Sequence, residues 1–234
     1  MSQQTTRSEQ TGKATGRTAS REVRRQQLID AAIDSIAEHG ISGTTITTVT
    51  GFAGLSLGIV NFHFRNKESL FEETLRYLAT EHSNQWRHGV GNAAADPATQ
   101  LLAIVDAHFH PDICTRKKLA VWFNFYGEAR FRAIYRRVLA DMDRERRAAS
   151  LELCRRLIDA GGYRGLEARQ VADTLEGLYD GLCLNMLIYP DAFTREDAML
   201  RVRQYLAGLF PDHFTVSEPH PEKSNPEKAH PEKG

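Results

Sequence analysis

The chain has 234 residues, 41% of them hydrophobic and 26% charged, and its 30 Lys and Arg offset 30 Asp and Glu to a formal net charge of +0. That length suffices for one large domain or two smaller ones with a real core, and the lack of any run near the roughly 18 apolar residues of a membrane span, or of an apolar N-terminal stretch, excludes membrane and secreted classes and predicts a cytoplasmic protein. Cys114, Cys154 and Cys183 are widely spaced without a C-x-x-C pair, so free thiols are expected rather than a disulfide framework or a metal site.

A zero sum argues against a nucleic-acid partner only if the charge is evenly spread, and it is not. Residues 1–70 hold eight basic and six acidic residues, residues 71–210 hold nineteen of each, and residues 211–234 hold three and five. The excess lies at the N-terminus. There Arg7, Lys13, Arg17, Arg21, Arg24 and Arg25 face only Glu9 and Glu22 in Ser/Thr/Gln/Gly-rich surroundings, which predicts a disordered basic arm over 1–21.

Leu28, Ile29, Ala32, Ile33 and Ile36 then recur at helical spacing, giving a first helix over about 22–39 that stops at Gly40. Further helices are expected at about 46–53, 57–63, 67–90, 98–109, 116–128, 131–161, 167–188 and 194–209, with Pro97, Pro111 and Pro190 falling between them. Strand signals are almost absent, so the fold class is all-α. From Pro211 onward a repeat, His220-Pro-Glu-Lys, Asn225-Pro-Glu-Lys, His230-Pro-Glu-Lys, reads as an extended solvated tail over 211–234. Metal binding by His220 and His230 is the less favoured alternative.

The informative stretch is 44–70. A short helix packing through Ile46, Val49 and Ala53 turns at Gly54, whose missing Cβ permits the positive φ of a tight corner, and Ser56 caps a second short helix. Two short helices about a glycine turn form a helix-turn-helix, whose second member lies in the DNA major groove; a helical hairpin inside a bundle core is the alternative. Asn66 caps the next helix and sets Lys67 at its start, where free N–H groups and an ammonium can hold one phosphate.

The order Thr45, Ala53-Gly54, Ser56, Gly58, His63-Phe64, Lys67-Glu68 resembles the DNA-binding signature of the tetracycline-repressor (TetR) family of regulators. Within it, Arg24-Arg-Gln-Gln-Leu-Ile-Asp-Ala, Gly58-Ile-Val-Asn-Phe-His-Phe, Leu102-Ala-Ile-Val105, Val121-Trp-Phe-Asn-Phe-Tyr126 and Asp180-Gly-Leu182 are similar to the choline-responsive repressors of glycine-betaine biosynthesis. The likeness spans about 24–210 and implies a three-helix DNA-binding domain over 22–70 and a helical sensor and dimerisation domain over 71–210. Thr45, His63 and Lys67, with Arg24 and Arg25 of the arm, are then expected on phosphates. Ser56, Leu57, Ile59 and Asn61 face the groove, where Asn61 can pair with adenine and the apolar side chains can touch thymine methyls. Val60 and Phe64 point inward, while Phe62 faces either DNA or its own domain. The chain departs from the family at Asn61, usually Tyr, at Val49-Thr50, usually Ile-Ala, and at Cys183 and Asn185, where Trp and Arg are usual.

In the second half Trp122, Phe125 and Tyr126 share one helical face, with Glu128 nearby, a pattern that by itself fits a plain core better than a pocket. The resemblance implies choline, a quaternary ammonium bound by π faces and balanced by a carboxylate. Trp122, Phe125, Tyr126 and Tyr179 become candidate walls and Asp180 or Glu128 the anion. The last two helices carry Leu175, Leu178 and Leu182, then Met199, Val202 and Leu206; in the family such helices meet a two-fold mate, whereas an intramolecular core is the alternative.

The function these readings predict is a homodimeric, ligand-controlled repressor binding a palindromic double-stranded operator upstream of choline-to-betaine genes and released by choline, with no membrane partner and no cofactor. A TetR-type regulator of another pathway, sensing a different amphipathic cation or drug, is the nearer alternative. A helical small-molecule enzyme is the remote one, since H-E-x-x-H and G-x-x-x-x-G-K-[ST] are missing from the sequence.

Overall fold

The computed structural model describes residues 12–215, with side chains from Arg21 onward; the expectations for residues 1–11 and for the repeat tail beyond Thr215 lie outside the described residues. Nine helices are found among them: α1 Gly12–Gly43, α2 Ile46–Ala53, α3 Leu57–His63, α4 Lys67–Asn92, α5 Pro97–His108, α6 Arg116–Gly127, α7 Arg132–Gly161, α8 Ala168–Ile188 and α9 Arg195–Leu209. No strand is assigned among these residues, and no single helix is long and apolar enough to cross a membrane.

Eight of the nine helices lie within two residues of the sequence reading at each end. The first does not. Its backbone is helical from Gly12, so the second half of the stretch expected as a disordered arm extends α1. No proline interrupts residues 12–23, and Ala, Arg and Lys favour helix even where nothing is buried. At the other end Gly40 takes φ 70 with ψ 169, a break rather than an end, and a last turn runs on to Gly43.

Caps explain most of the other boundaries. Thr45, Asn66 and Thr194 each accept a backbone N–H three residues on, and the residue there returns the bond, closing a capping box. Asp96 and Thr115 cap α5 and α6 with a single such bond. Ser56 precedes α3 as expected, but its hydroxyl makes no capping bond, contrary to the sequence reading.

Two apolar clusters form the core. One joins α1 to α4 through Leu28, Ile36, Val49, Val60, Phe64 and Phe71, and it also takes in Val121, Phe125, Phe131, Val138 and Leu139 from α6 and α7. The other joins α5 to α9 through Leu101, Val105, Phe109, Leu157, Leu175 and Val202. Helix α4 runs unbroken across the 70/71 boundary expected between the domains, its Phe71, Leu75 and Leu78 inside the first cluster. Leu175, Leu182, Val202 and Leu206 are buried at 7% exposure or less within this one chain, and Leu178 and Met199 pack partly buried against the same cluster. The four buried side chains, expected at a dimer seam, are therefore committed to the chain's own core, while Leu178 and Met199 keep part of their surface outside it.

Candidate nucleic-acid interface and ligand cavity

Helices α2 and α3 meet at 106° across a turn in which Gly54 adopts φ 61 and ψ 32, the left-handed corner the sequence calls for. Gln27 Nε2 donates to the Ala53 carbonyl at 2.7 Å and ties the turn to α1. Buried hydroxyls add a second tie: Ser35 Oγ donates to Thr44 Oγ1 at 3.2 Å and meets Thr48 Oγ1 at 2.9 Å. Val60 and Phe64 face inward at 1% and 4% exposure, as expected. What α3 leaves outside is Leu57 at 55% and Phe62 at 68%, with Asn61 between them and Phe52 of α2 beside the helix corner. Ile59 is turned toward the head's own core and does not share that face.

The cations divide into engaged and free. Arg25 pairs with Glu73 at 2.5 Å and lies over the Phe64 ring, so its charge is partly spent inside the domain. Arg24 is exposed and donates to Gln27, while the Arg21 guanidinium sits 5.4 Å from the Phe62 ring centroid. Lys67 opens α4 beside Phe71, its ammonium 3.4 Å from the Ile41 carbonyl; burial and then Arg130 hold its pKa below the ordinary lysine value. The same causes, burial first and then Arg21 and Arg25, lower that of His63. Thr45 is exposed at the N-cap of α2, with its hydroxyl accepting from Thr48 N at 3.1 Å.

Below this head lies a cavity of about 240 Å³ walled by α4 to α8. Its aromatic side is Trp122, Phe123 and Tyr126 of α6 with Tyr135 of α7, whose hydroxyl donates to Tyr126 Oη at 2.9 Å. Its polar floor is Arg146, which grips Glu176 through both Nε and Nη2 at 3.2 and 2.6 Å and meets Asp143 at 3.3 Å. Burial works against the Arg146 charge, but the Glu176 and Asp143 carboxylates more than offset it. Asp180 faces the open side and makes no ion pair among the described residues. Three carboxylates, Asp143, Glu176 and Asp180, thus face two guanidiniums, Arg146 and Arg147. The wall carries one surplus negative charge, and partial burial followed by Glu176 raises the Asp180 pKa.

Of the residues expected around a ligand, the structure brings Trp122, Tyr126 and Asp180 together. Phe125 points the other way, into the head core against Phe71 and Phe131. Glu128 lies past the end of α6 and accepts from Ser42 Oγ at 2.5 Å, because the helix ends at Gly127 and the face does not continue. Tyr179 is 1% exposed and stacks behind the wall on His108 with centroids 4.4 Å apart. Sequence reasoning missed His82, His108, Tyr135, Asp143 and Arg146. The only trace was on α7, where Tyr135, Leu139, Met142, Asp143 and Arg146 keep helical spacing with polar residues on an otherwise apolar face. Neither His82 Nε2 nor His108 Nδ1 has a hydrogen-bond partner among the described residues.

Residues 28–74 match the bacterial regulatory proteins of the tetR family, and residues 97–211 match the C-terminal domain of BetI-type transcriptional repressors. The chain is 33% identical over 164 residues to the HTH-type transcriptional regulator BetI of Burkholderia lata, covering 70% of this chain and 82% of that one. Among solved structures it is similar to a transcriptional regulator from Pseudomonas aeruginosa PAO1, with a TM-score of 0.70 and 26% identity over 81% of this chain and 91% of that one. A regulator from Saccharomonospora viridis in complex with choline shares the fold, with a TM-score of 0.68 at 19% identity over 78% and 94%.

Proposed function

Because this chain belongs to the TetR family of bacterial transcriptional regulators, with a C-terminal domain of the BetI type, and is a TetR-type transcriptional repressor, we propose that it controls choline-to-glycine-betaine genes and leaves its operator when choline binds. In this reading two copies set their α3 helices in successive major grooves, roughly 34–36 Å apart, on a palindromic operator. Leu57, Asn61 and Phe62 read base edges, and Thr45, Arg24, Lys67 and His63 hold phosphates.

The observation that carries the ligand is Asp180, a carboxylate with no ion-pair partner among the described residues, which shares a wall of one surplus negative charge with Trp122 and Tyr126. A quaternary ammonium has no N–H to donate and is held by π faces and a counter-charge, which is what this wall offers. The choline hydroxyl has an acceptor in His82 Nε2 or His108 Nδ1, both without a partner among the described residues. A cavity of about 240 Å³ also falls below the roughly 300–1,000 Å³ of drug-sized pockets, which favours a small cation over a bulky one. The choline seen in the Saccharomonospora viridis regulator, a protein of the same fold, supports the reading.

The test selects operator DNA from a random pool with and without choline, then titrates choline while following the fluorescence of Trp122. Palindromic selection that choline abolishes is expected, with Asp180→Asn weakening choline about tenfold, the worth of one desolvated charge pair, while operator binding persists. Selective DNA binding that choline leaves unchanged would assign the cavity to another ligand.

A further inference from the structure

The cavity wall holds a chemistry that effector binding does not use. Cys114 and Cys183 both line it, and their sulfurs stand 3.6 Å apart. They are distant in sequence and belong to different elements. Cys114 closes the turn after α5, its N–H donating to the His110 carbonyl at 2.8 Å, and directly precedes Thr115, the cap of α6. Cys183 lies on α8, one turn beyond Asp180. From this geometry we infer that Cys114 and Cys183 are a hydroperoxide-responsive dithiol whose disulfide locks the start of α6 to α8 and weakens operator binding.

Three observations support it. First, the thiols are shielded from bulk solvent yet border a cavity open to it, so a molecule of peroxide size has a route to them. Second, the two sulfurs are unlike. Either thiol can donate across the 3.6 Å contact; with Cys183 as the donor the Cys114 pKa falls, burial opposing and Arg195 adding to the effect, while Cys183 is held well above its usual value. That asymmetry separates an attacking from a resolving sulfur. Third, Cys154 provides an internal contrast: it is fully buried on α7, away from the cavity wall, and burial alone pushes its thiol up to about 12.

The Cys114 thiolate attacks one oxygen of a hydroperoxide, the O–O bond breaks, and the other oxygen leaves with a proton as water or an alcohol. The Cys183 thiol then gives up its proton and attacks the Cys114 sulfenic sulfur, the S–O bond breaks, and hydroxide leaves as water. Two thiols are oxidised by two electrons and one peroxide is reduced. Closing 3.6 Å to the roughly 2.05 Å of a disulfide draws the α6 entry and α8 together by about 1.5 Å. Helix α6 carries Trp122 and Tyr126 into the cavity and Val121 and Phe125 into the head core, so its displacement reaches both halves.

The effect on DNA rests on the repressor reading, whereas the thiol chemistry does not. The full-length protein is treated with stoichiometric hydrogen peroxide, digested and mapped by mass spectrometry, and its operator affinity is measured before and after, then again with dithiothreitol. An intramolecular Cys114–Cys183 link is expected, with Cys154 left as a free thiol and Cys154→Ser oxidising as the parent does. Cys183→Ser should stop at a dimedone-trappable sulfenic acid on Cys114. Operator affinity should fall about tenfold on oxidation, within the usual range of allosteric coupling, and return on reduction. Cross-linking between chains, or oxidation of Cys154 at the same rate, overturns the dithiol. A clean disulfide with unchanged operator affinity overturns the switch, and reduced protein that binds no DNA overturns the repressor reading instead.

Discussion

At the scale of single residues, two histidines set the response to acid. Burial first and the Arg146 charge second push the His82 pKa down to about 3, and His108 is lowered well below its usual value by burial, His82 and Arg146. Both are neutral in the folded protein at pH 7 and in the unfolded chain above its ordinary value near 6.5. As the pH falls below 6.5 the unfolded chain takes up protons that the folded one refuses, so stability is lost from there downward toward pH 3. At pH 5 the loss is roughly 2 kcal/mol for His82, since one pKa unit corresponds to about 1.4 kcal/mol, and His108 adds to it in the same direction. Urea denaturation between pH 7 and pH 5 should therefore show a falling midpoint, and His82→Gln with His108→Gln should flatten that slope. A parent slope as flat as the variant's would place the protonation elsewhere.

Element by element, helices were more legible in the sequence than the cavity they enclose. Helix ends are local events, and the left-handed Gly54, the capping boxes at Thr45 and Asn66 and the breaks at Pro97 and Pro190 are each written in a few adjacent residues. The cavity is assembled from one face each of α4, α5, α6, α7 and α8, and no spacing within a segment records which faces converge. So Phe125 passed as a wall residue for sharing the Trp122 face, although α6 is buried on both sides and Phe125 belongs to the other one. Helix α6 is in fact strapped to α1: the Ile41 N–H, left free where Gly40 breaks the helix, donates to Asn124 Oδ1 at 3.1 Å, and Lys117 pairs with Asp34 at 2.6 Å. One helix thus presents its aromatic face to the cavity and its Asn124 side to the DNA-binding head. Asn124→Ala strands a partly buried N–H at a cost of about 1–3 kcal/mol. It should leave choline affinity within twofold of the parent but blunt choline's effect on operator binding, as calorimetry beside a gel-shift titration would reveal. Full release by choline in that variant would show that coupling runs by another route.

For the whole molecule the question is which surface meets a second copy. Leu175, Leu182, Val202 and Leu206, expected there, are buried in the chain's own core, and in the homodimer proposed above the next face of α8 is the surface left to meet the partner. Thr174, Gly177, Gly181, Leu184 and Ile188 follow at alternating spacings of three and four, all exposed, with Leu184 at 37% and Ile188 at 54%. Exposed Gly208 lies on α9, and a Cβ built at Gly177, Gly181 or Gly208 meets nothing within 4 Å. A smooth, glycine-floored stripe ending in apolar side chains suits close packing against its own two-fold image, which a palindromic operator requires. Such glycines cost helix propensity, about 1 kcal/mol each relative to alanine, so inside a lone chain they would only weaken α8. Gly181→Arg should therefore keep or raise the thermal stability of the single chain while abolishing the dimer. Sedimentation equilibrium should find it monomeric, and its operator affinity should fall to that of one half-site. Leu175→Ala behaves in the opposite way, removing about 2–5 kcal/mol from the core of each subunit without selectively dissociating the pair. A Gly181→Arg protein that remains dimeric on a well-folded background would move the interface off this face of α8.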